Sequence, residues 1–200
     1  MEKRKRIVTK IGDLFSVDLD DKTKRFFQYV AIDESMLGGS VIRVFKRKYD
    51  IDAEPSFDEI VNDEVDFYTH TSLKIGILEG YWKKIGRYAD IGDTENIYFR
   101  SVGELDASKL KKSRHWLVWK VNCVRQDIGE MKEIYKNYDL GSLFPSIWVL
   151  NKIKTGRMGI KLEEIFCIID EFCKHFGFFV NLGDKKTMLI SFLNTFLPTY

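Results

Sequence analysis

Two hundred residues, 44% hydrophobic and 14% aromatic, suffice for one well-filled core or for a domain with a smaller appendage. Lys and Arg number 32 against 30 Asp and Glu, and a net charge of +2 is too small to argue for nucleic acid or a membrane surface as partner. The basic start "MEKRKR" has no apolar core behind it and "IFCII" is far short of a span, so neither a secretory signal nor a membrane anchor is expected, and the expected compartment is the cytoplasm.

In chain order, the segment Leu14 to Leu19 nearly alternates, "DDKT" supplies turn formers, and "RFFQYVAI" resumes with aromatic and β-branched residues; this spacing predicts a hairpin. After a "LGGS" turn, "VIRVFKRKY" sets Val41, Arg43, Phe45, Arg47 and Tyr49 against Ile42, Val44, Lys46 and Lys48. That alternation predicts a third strand with a basic edge toward water. From Asp50 to Asp66 the chain holds eight acids and neither Lys nor Arg. Within it Pro55 precedes a capping box, Ser56 with Glu59, which predicts a short helix carrying Phe57, Ile60 and Val61 on one side.

"LKIGILEGYWKKIGR" reads as two short strands around Gly80, "NIYFRSV" as another, and "RHWLVWKVNCV" as a further one behind the Lys-rich "ASKLKKS". Beyond Asp139 the period becomes helical. Pro145 and Gly156 bracket one helix, Leu162 to Phe176 forms an apolar stripe before Gly177, and Met188 to Phe196 repeats it before Pro198. The expected fold is therefore α+β: a curved or SH3-like-barrel antiparallel sheet with a short inserted helix, followed by C-terminal helices packed on it. Residues 1–156 would form the β-rich domain, and 157–200 a helical segment docked on the same core.

"GDLFSVDLDD" at Gly12 to Asp21, the returning "RFFQYV", "WLVWKVN" and "LGSLFPSIWVLNKIKTG" resemble the immunity protein 26 family of polymorphic-toxin systems, over roughly residues 10–156. The resemblance implies a mostly β protein that binds and neutralises one cognate toxin without catalysis, and it carries no motif of functional residues. The same opening is also similar to ribonuclease toxins built on a small SH3-like barrel, in which Arg25 or Arg43 would cut RNA.

His70, His115 and His175 lie far apart, and Cys123, Cys167 and Cys173 lack paired spacing, so reduced thiols and no metal or other cofactor are expected. No nucleophile elbow or phosphate loop is present. Trp82, Trp116, Trp119 and Trp148 sit among basic residues that would suit base stacking, although tryptophans in alternating strands more often fill a core. The candidate partner-binding surface is the acidic run itself: Asp50, Asp52, Glu54, Asp58, Glu59, Asp63, Glu64 and Asp66. A solvated helix face would explain such a run, but mutual repulsion of unpaired acids is a cost that a basic toxin groove would relieve. On that reading Asp20 and Asp21 serve only the turn.

Overall fold

The structure is a computed structural model, and it describes residues 6–36, 38–102 and 115–159. Two sheets make up most of it. The larger contains β1 (Asp13–Asp18), β2 (Thr23–Asp33), β3 (Gly39–Phe45), β4 (Tyr49–Asp50), β5 (Val65–Thr71), β6 (Lys83–Arg87) and β11 (Leu143–Phe144). Its order is β11-β5-β3-β2-β1-β6, with β4 paired to β2. The smaller sheet joins β7 (Tyr98–Val102), β8 (Trp116–Lys120), β9 (Gln126–Asp127) and β10 (Asp139–Leu140) in the order β10-β7-β8-β9. Pairing is antiparallel except for β11 on β5 and β10 on β7.

The protein is thus α+β, but its sheets are open. The barrel reading fails because β11 and β6 end the large sheet on opposite edges, and the later strands form a second sheet rather than closing the first. Closure would demand a continuous stagger of register around all strands. Instead both faces of the large sheet are covered, which is why its central strands are buried almost residue by residue. On one face Phe15, Val17, Phe27, Tyr29, Ile42, Val44 and Phe67 meet Leu73 of α2 (Leu73–Leu78) and Trp148, Val149 and Ile153 of α3 (Ser146–Thr155). On the other, Leu14, Phe26, Phe45 and Tyr49 pack on Ile60 and Val61 of α1 (Phe57–Val61), while Val30, Ala31 and Val41 pack on Phe99 and Trp119 of the second sheet.

Several local expectations hold. Hairpin β1–β2 pairs Phe15 with Phe27, and its turn is held by Asp20 Oδ1, which accepts the backbone N–H groups of Lys22 and Thr23 and the Thr23 hydroxyl at 2.7–2.9 Å. Ser56 caps α1 by accepting the Glu59 N–H at 3.1 Å. Pro145 opens α3, and Gly156 closes it with φ 77°. Trp82, Trp119 and Trp148 are core residues.

Three expectations need correction. "LKIGIL" is helix α2 rather than a strand: the Trp82 indole lies directly on Gly76, where a Cβ would overlap the ring, and Trp82 Nε1 donates to the Leu73 carbonyl at 3.0 Å. A two-fold pattern read from six residues cannot register an indole that arrives from beyond the next turn. The third strand stops at Phe45, and Tyr49–Asp50 pairs separately with β2. Arg43 does not line a basic edge; it is buried and bonded to Gln28 Oε1 and the Asp90 carbonyl. The apolar stripes Leu162 to Phe176 and Met188 to Phe196, the "ASKLKKS" loop, Cys167, Cys173 and His175 lie outside the described residues.

Candidate partner-binding surface

Each acid of the 50–66 run has a definite position, and five have a partner within the chain. Asp58 accepts the Tyr88 hydroxyl at 3.1 Å, a bond that together with the charge of Asp58 raises the tyrosine's ionisation above its ordinary value. Glu59 pairs with Arg47 at 2.8 Å, Asp63 accepts the Arg47 N–H at 2.8 Å, and Glu64 pairs with Lys46 at 3.0 Å. Asp66 meets Arg25 Nη2 at 2.6 Å. The half of the run nearest β5 is thereby largely neutralised by the "FKRK" stretch just upstream and by a cation from the sheet interior. Its acids are not the unpaired set that composition suggests.

Asp50, Asp52 and Glu54 differ. All three are exposed, and their side chains have no hydrogen-bond or ion-pair partner among the described residues. β4 places them: it lies against the start of β2, with Asp50 opposite Thr23 and the Ile51 N–H donating to the Lys22 carbonyl at 2.7 Å. This brings Asp50 and Asp52 beside the β1–β2 turn and its exposed Asp20 and Asp21. The fold therefore merges two acidic stretches that the sequence separates, and the turn aspartates belong to the same ridge. Lys24, the nearest cation on β2, is directed to the Ile51 carbonyl at 2.7 Å. Asp20, although fully exposed, lies below the usual carboxylate range because of its turn bonds, first from the Lys22 N–H, with a smaller contribution from nearby Lys48.

A second concentration of polar groups lies inside the protein. Asp33, at the far end of β2, is fully buried. Its Oδ1 accepts from Ser35 N–H at 3.0 Å, Ser35 hydroxyl at 2.5 Å and Asn122 N–H at 3.1 Å; its Oδ2 accepts from Trp119 Nε1 at 3.0 Å and His70 Nε2 at 2.9 Å. Since a carboxylate only accepts, the His70 proton sits on Nε2, and buried Nδ1 has no hydrogen-bond partner among the described residues. Burial pushes the His70 pKa below its ordinary 6.5 despite Asp33, so the ring is neutral at pH 7. Burial alone would raise the Asp33 carboxyl, but the bonds from Ser35, His70, Trp119 and Asn122 outweigh it and hold the pKa below the usual range. This cluster joins the large sheet to the small one. Its centre, Asp33, His70 and Trp119, is buried, while Ser35 is half-buried and Asn122 exposed at its rim.

Neither arginine proposed for RNA cleavage is available at the surface. Arg25 donates to the Phe45 and Ile153 carbonyls and to Asp66, while Arg43 is held by Gln28 and the Asp90 carbonyl. No group of three or more His, Cys, Asp or Glu suited to a metal occurs among the described residues. Nor is any described helix long and apolar enough to cross a membrane.

No curated protein and no solved structure matches this chain. The family described as Immunity protein 26 matches it over residues 10–110, a span that contains β1 to β7, α1, α2 and the whole acidic run. On that match, half of the chain and most of its larger sheet, the protein belongs to the immunity protein 26 family.

Proposed function

We propose that this protein neutralises one cognate bacterial toxin domain by binding it in the cytoplasm, without catalysis of its own. Family membership carries the reading. What the protein would present to the toxin is the acidic ridge, chiefly Asp50, Asp52 and Glu54, extended by Asp20 and Asp21 and flanked by the partly neutralised Asp58, Glu59, Asp63, Glu64 and Asp66. Carboxylates with no internal partner are free to pair with a basic surface, and an anionic ridge speeds encounter with such a surface and orients it. The ridge stands on β4 and the cap of α1, both anchored in a buried cluster, so it is preorganised for that contact.

The test is co-expression with the toxin domain encoded beside its gene, followed by association kinetics of the purified pair. Changing Asp50 and Asp52 to Asn and Glu54 to Gln should slow association several-fold at low salt and much less at high salt, because exposed charges act mainly on the encounter rate. Rescue of cell growth with unchanged kinetics would keep the immunity role but remove the ridge from it. Failure to protect or bind would overturn the function itself. Nuclease activity that survives repurification, with RNA or DNA as substrate and with or without divalent metals, would also overturn it.

A further inference from the structure

Arg47 occupies a place that suits a guanidinium from any source. Its Cζ lies 4.7 Å from the centre of the Tyr49 ring, and its Nη1 meets Glu59 Oε1 at 2.8 Å. Both walls of this seat are fixed from within the protein. The Tyr49 ring meets Phe26 edge to face at 5.2 Å and packs in one cluster with Ile60 and Val61, while β4 holds its backbone against β2. Glu59 stands in the first turn of α1, where its own N–H is bound by the Ser56 cap. The occupant is held less firmly: the Arg47 side chain is 56% exposed, and an ion pair so open to water contributes little to stability.

Arg47 also uses the seat incompletely. Asp63 accepts its backbone N–H at 2.8 Å, so the side chain starts from a fixed point two residues before the ring it covers. One guanidinium nitrogen reaches Glu59, and the hydroxyl of buried Tyr49 has no hydrogen-bond partner of normal geometry among the described residues. Burial raises the ionisation of that hydroxyl above its ordinary value; Arg47 opposes the rise, and Glu59 and Asp63 add to it, which puts the hydroxyl among these three charges. A planar guanidinium carries five N–H donors and grips a carboxylate with two of them. An arginine arriving from outside, free of the tether at Asp63, would bond Glu59 through two donors, cover the ring and offer a further N–H to the hydroxyl.

We infer that Tyr49 and Glu59 form an arginine-binding site, which Arg47 fills until an arginine of the partner displaces it. Taking that partner to be the toxin rests on the immunity reading; the site itself does not. Tyr49 immediately precedes Asp50, so a toxin drawn in by the open acids of the ridge meets the site one residue away along β4.

The test empties the site. Arg47→Ala is titrated with N-acetyl-arginine amide while the Tyr49 ring signals are followed by NMR, beside the parent protein and Lys48→Ala. The latter removes the same charge from the next residue and leaves Arg47 in place. Saturable binding to Arg47→Ala is expected, about fivefold or more tighter than to the parent or to Lys48→Ala, because the internal competitor is gone. N-acetyl-lysine amide should bind more weakly, since an ammonium lacks the fork, and adding Glu59→Gln should abolish the response. Arg47→Gln repeats the titration if Arg47→Ala does not fold. No saturable shift in the folded variant, an equal response to the arginine and lysine amides, or a response that survives Glu59→Gln overturns the inference. With the purified toxin, Arg47→Ala should dissociate several-fold more slowly than Lys48→Ala. Equal dissociation of the two overturns the inference while the immunity reading stands. A toxin that binds neither the parent nor the variants overturns the immunity reading, and the amide titration then decides the site alone.

Discussion

Strand β2 has acids at both of its ends, and they are held in opposite ways. At its close Asp33 is buried and accepts five hydrogen bonds. At its start, across the pairing with β4, lie Asp50 and Asp52, exposed and with carboxylates open to water, next to a turn whose Asp20 still serves three local donors. A carboxylate whose lone pairs are all engaged has become part of the framework, and its removal strands the donors around it. One that engages nothing contributes little to folding and is available to a partner. The number of internal donors aimed at an acid, rather than the density of acids along the chain, separates the two roles.

The sharpest way to break this contrast is Asp33→Ala. It leaves the N–H groups of His70 and Trp119 buried without an acceptor, and a loss of about 3–5 kcal/mol is expected in denaturant unfolding, with altered Trp119 fluorescence as the sheets part. A loss below about 1 kcal/mol would mean that the joint between the sheets lies elsewhere. Next in size is Arg25→Met, which removes donors to the Phe45 and Ile153 carbonyls but leaves Asp66 near enough to the surface to hydrate. About 2–3 kcal/mol is expected, measured in the same way.

The pH dependence sharpens the comparison further. The unfolded His70 titrates near its ordinary 6.5, whereas the folded ring resists protonation, so the unfolded state binds the extra proton first. Stability should therefore fall as pH drops below 6.5, by at most about 1.4 kcal/mol per pH unit from this group. Asp33, with its folded pKa lowered below 3.8, adds a second loss as pH falls through that value. A flat unfolding midpoint between pH 7.5 and 5 would contradict the buried neutral ring. The smallest effect belongs to the other end of the strand: Asp50→Asn, Asp52→Asn and Glu54→Gln together should change stability by no more than about 0.5 kcal/mol.

What was legible in the sequence was local. The hairpin turn, the Ser56 cap and the Pro145–Gly156 limits of α3 each depend on residues a few positions apart, and each follows the expected chemistry. Burial of Arg25 and Arg43 was not legible, because their partners come from the end of α3 and from the loop after β6. The Asp33 cluster draws on residues 37 and 86 positions away, and "AIDESM" alone looks like a strand ending in an ordinary turn acid. For the acidic run, composition did not show that its later acids are paired within the chain while Asp50, Asp52 and Glu54 are exposed. A signal was present, since Lys46 and Arg47 stand immediately before the run and reach Glu64, Glu59 and Asp63.

The short stretch from Asp139 to Phe144 adds β10 to the small sheet and β11 to the large one, with only Gly141 and Ser142 between them. Gly141 is needed there, since a Cβ would collide with Trp119 and Phe99 as the chain crosses from one sheet to the other. Its partners β5 and β7 are made much earlier during translation. A nascent chain therefore carries both sheets with an open edge until this clasp leaves the ribosome, and a premature stop before Asp139 would release a protein with its family span intact and both of those edges exposed to pairing with other chains.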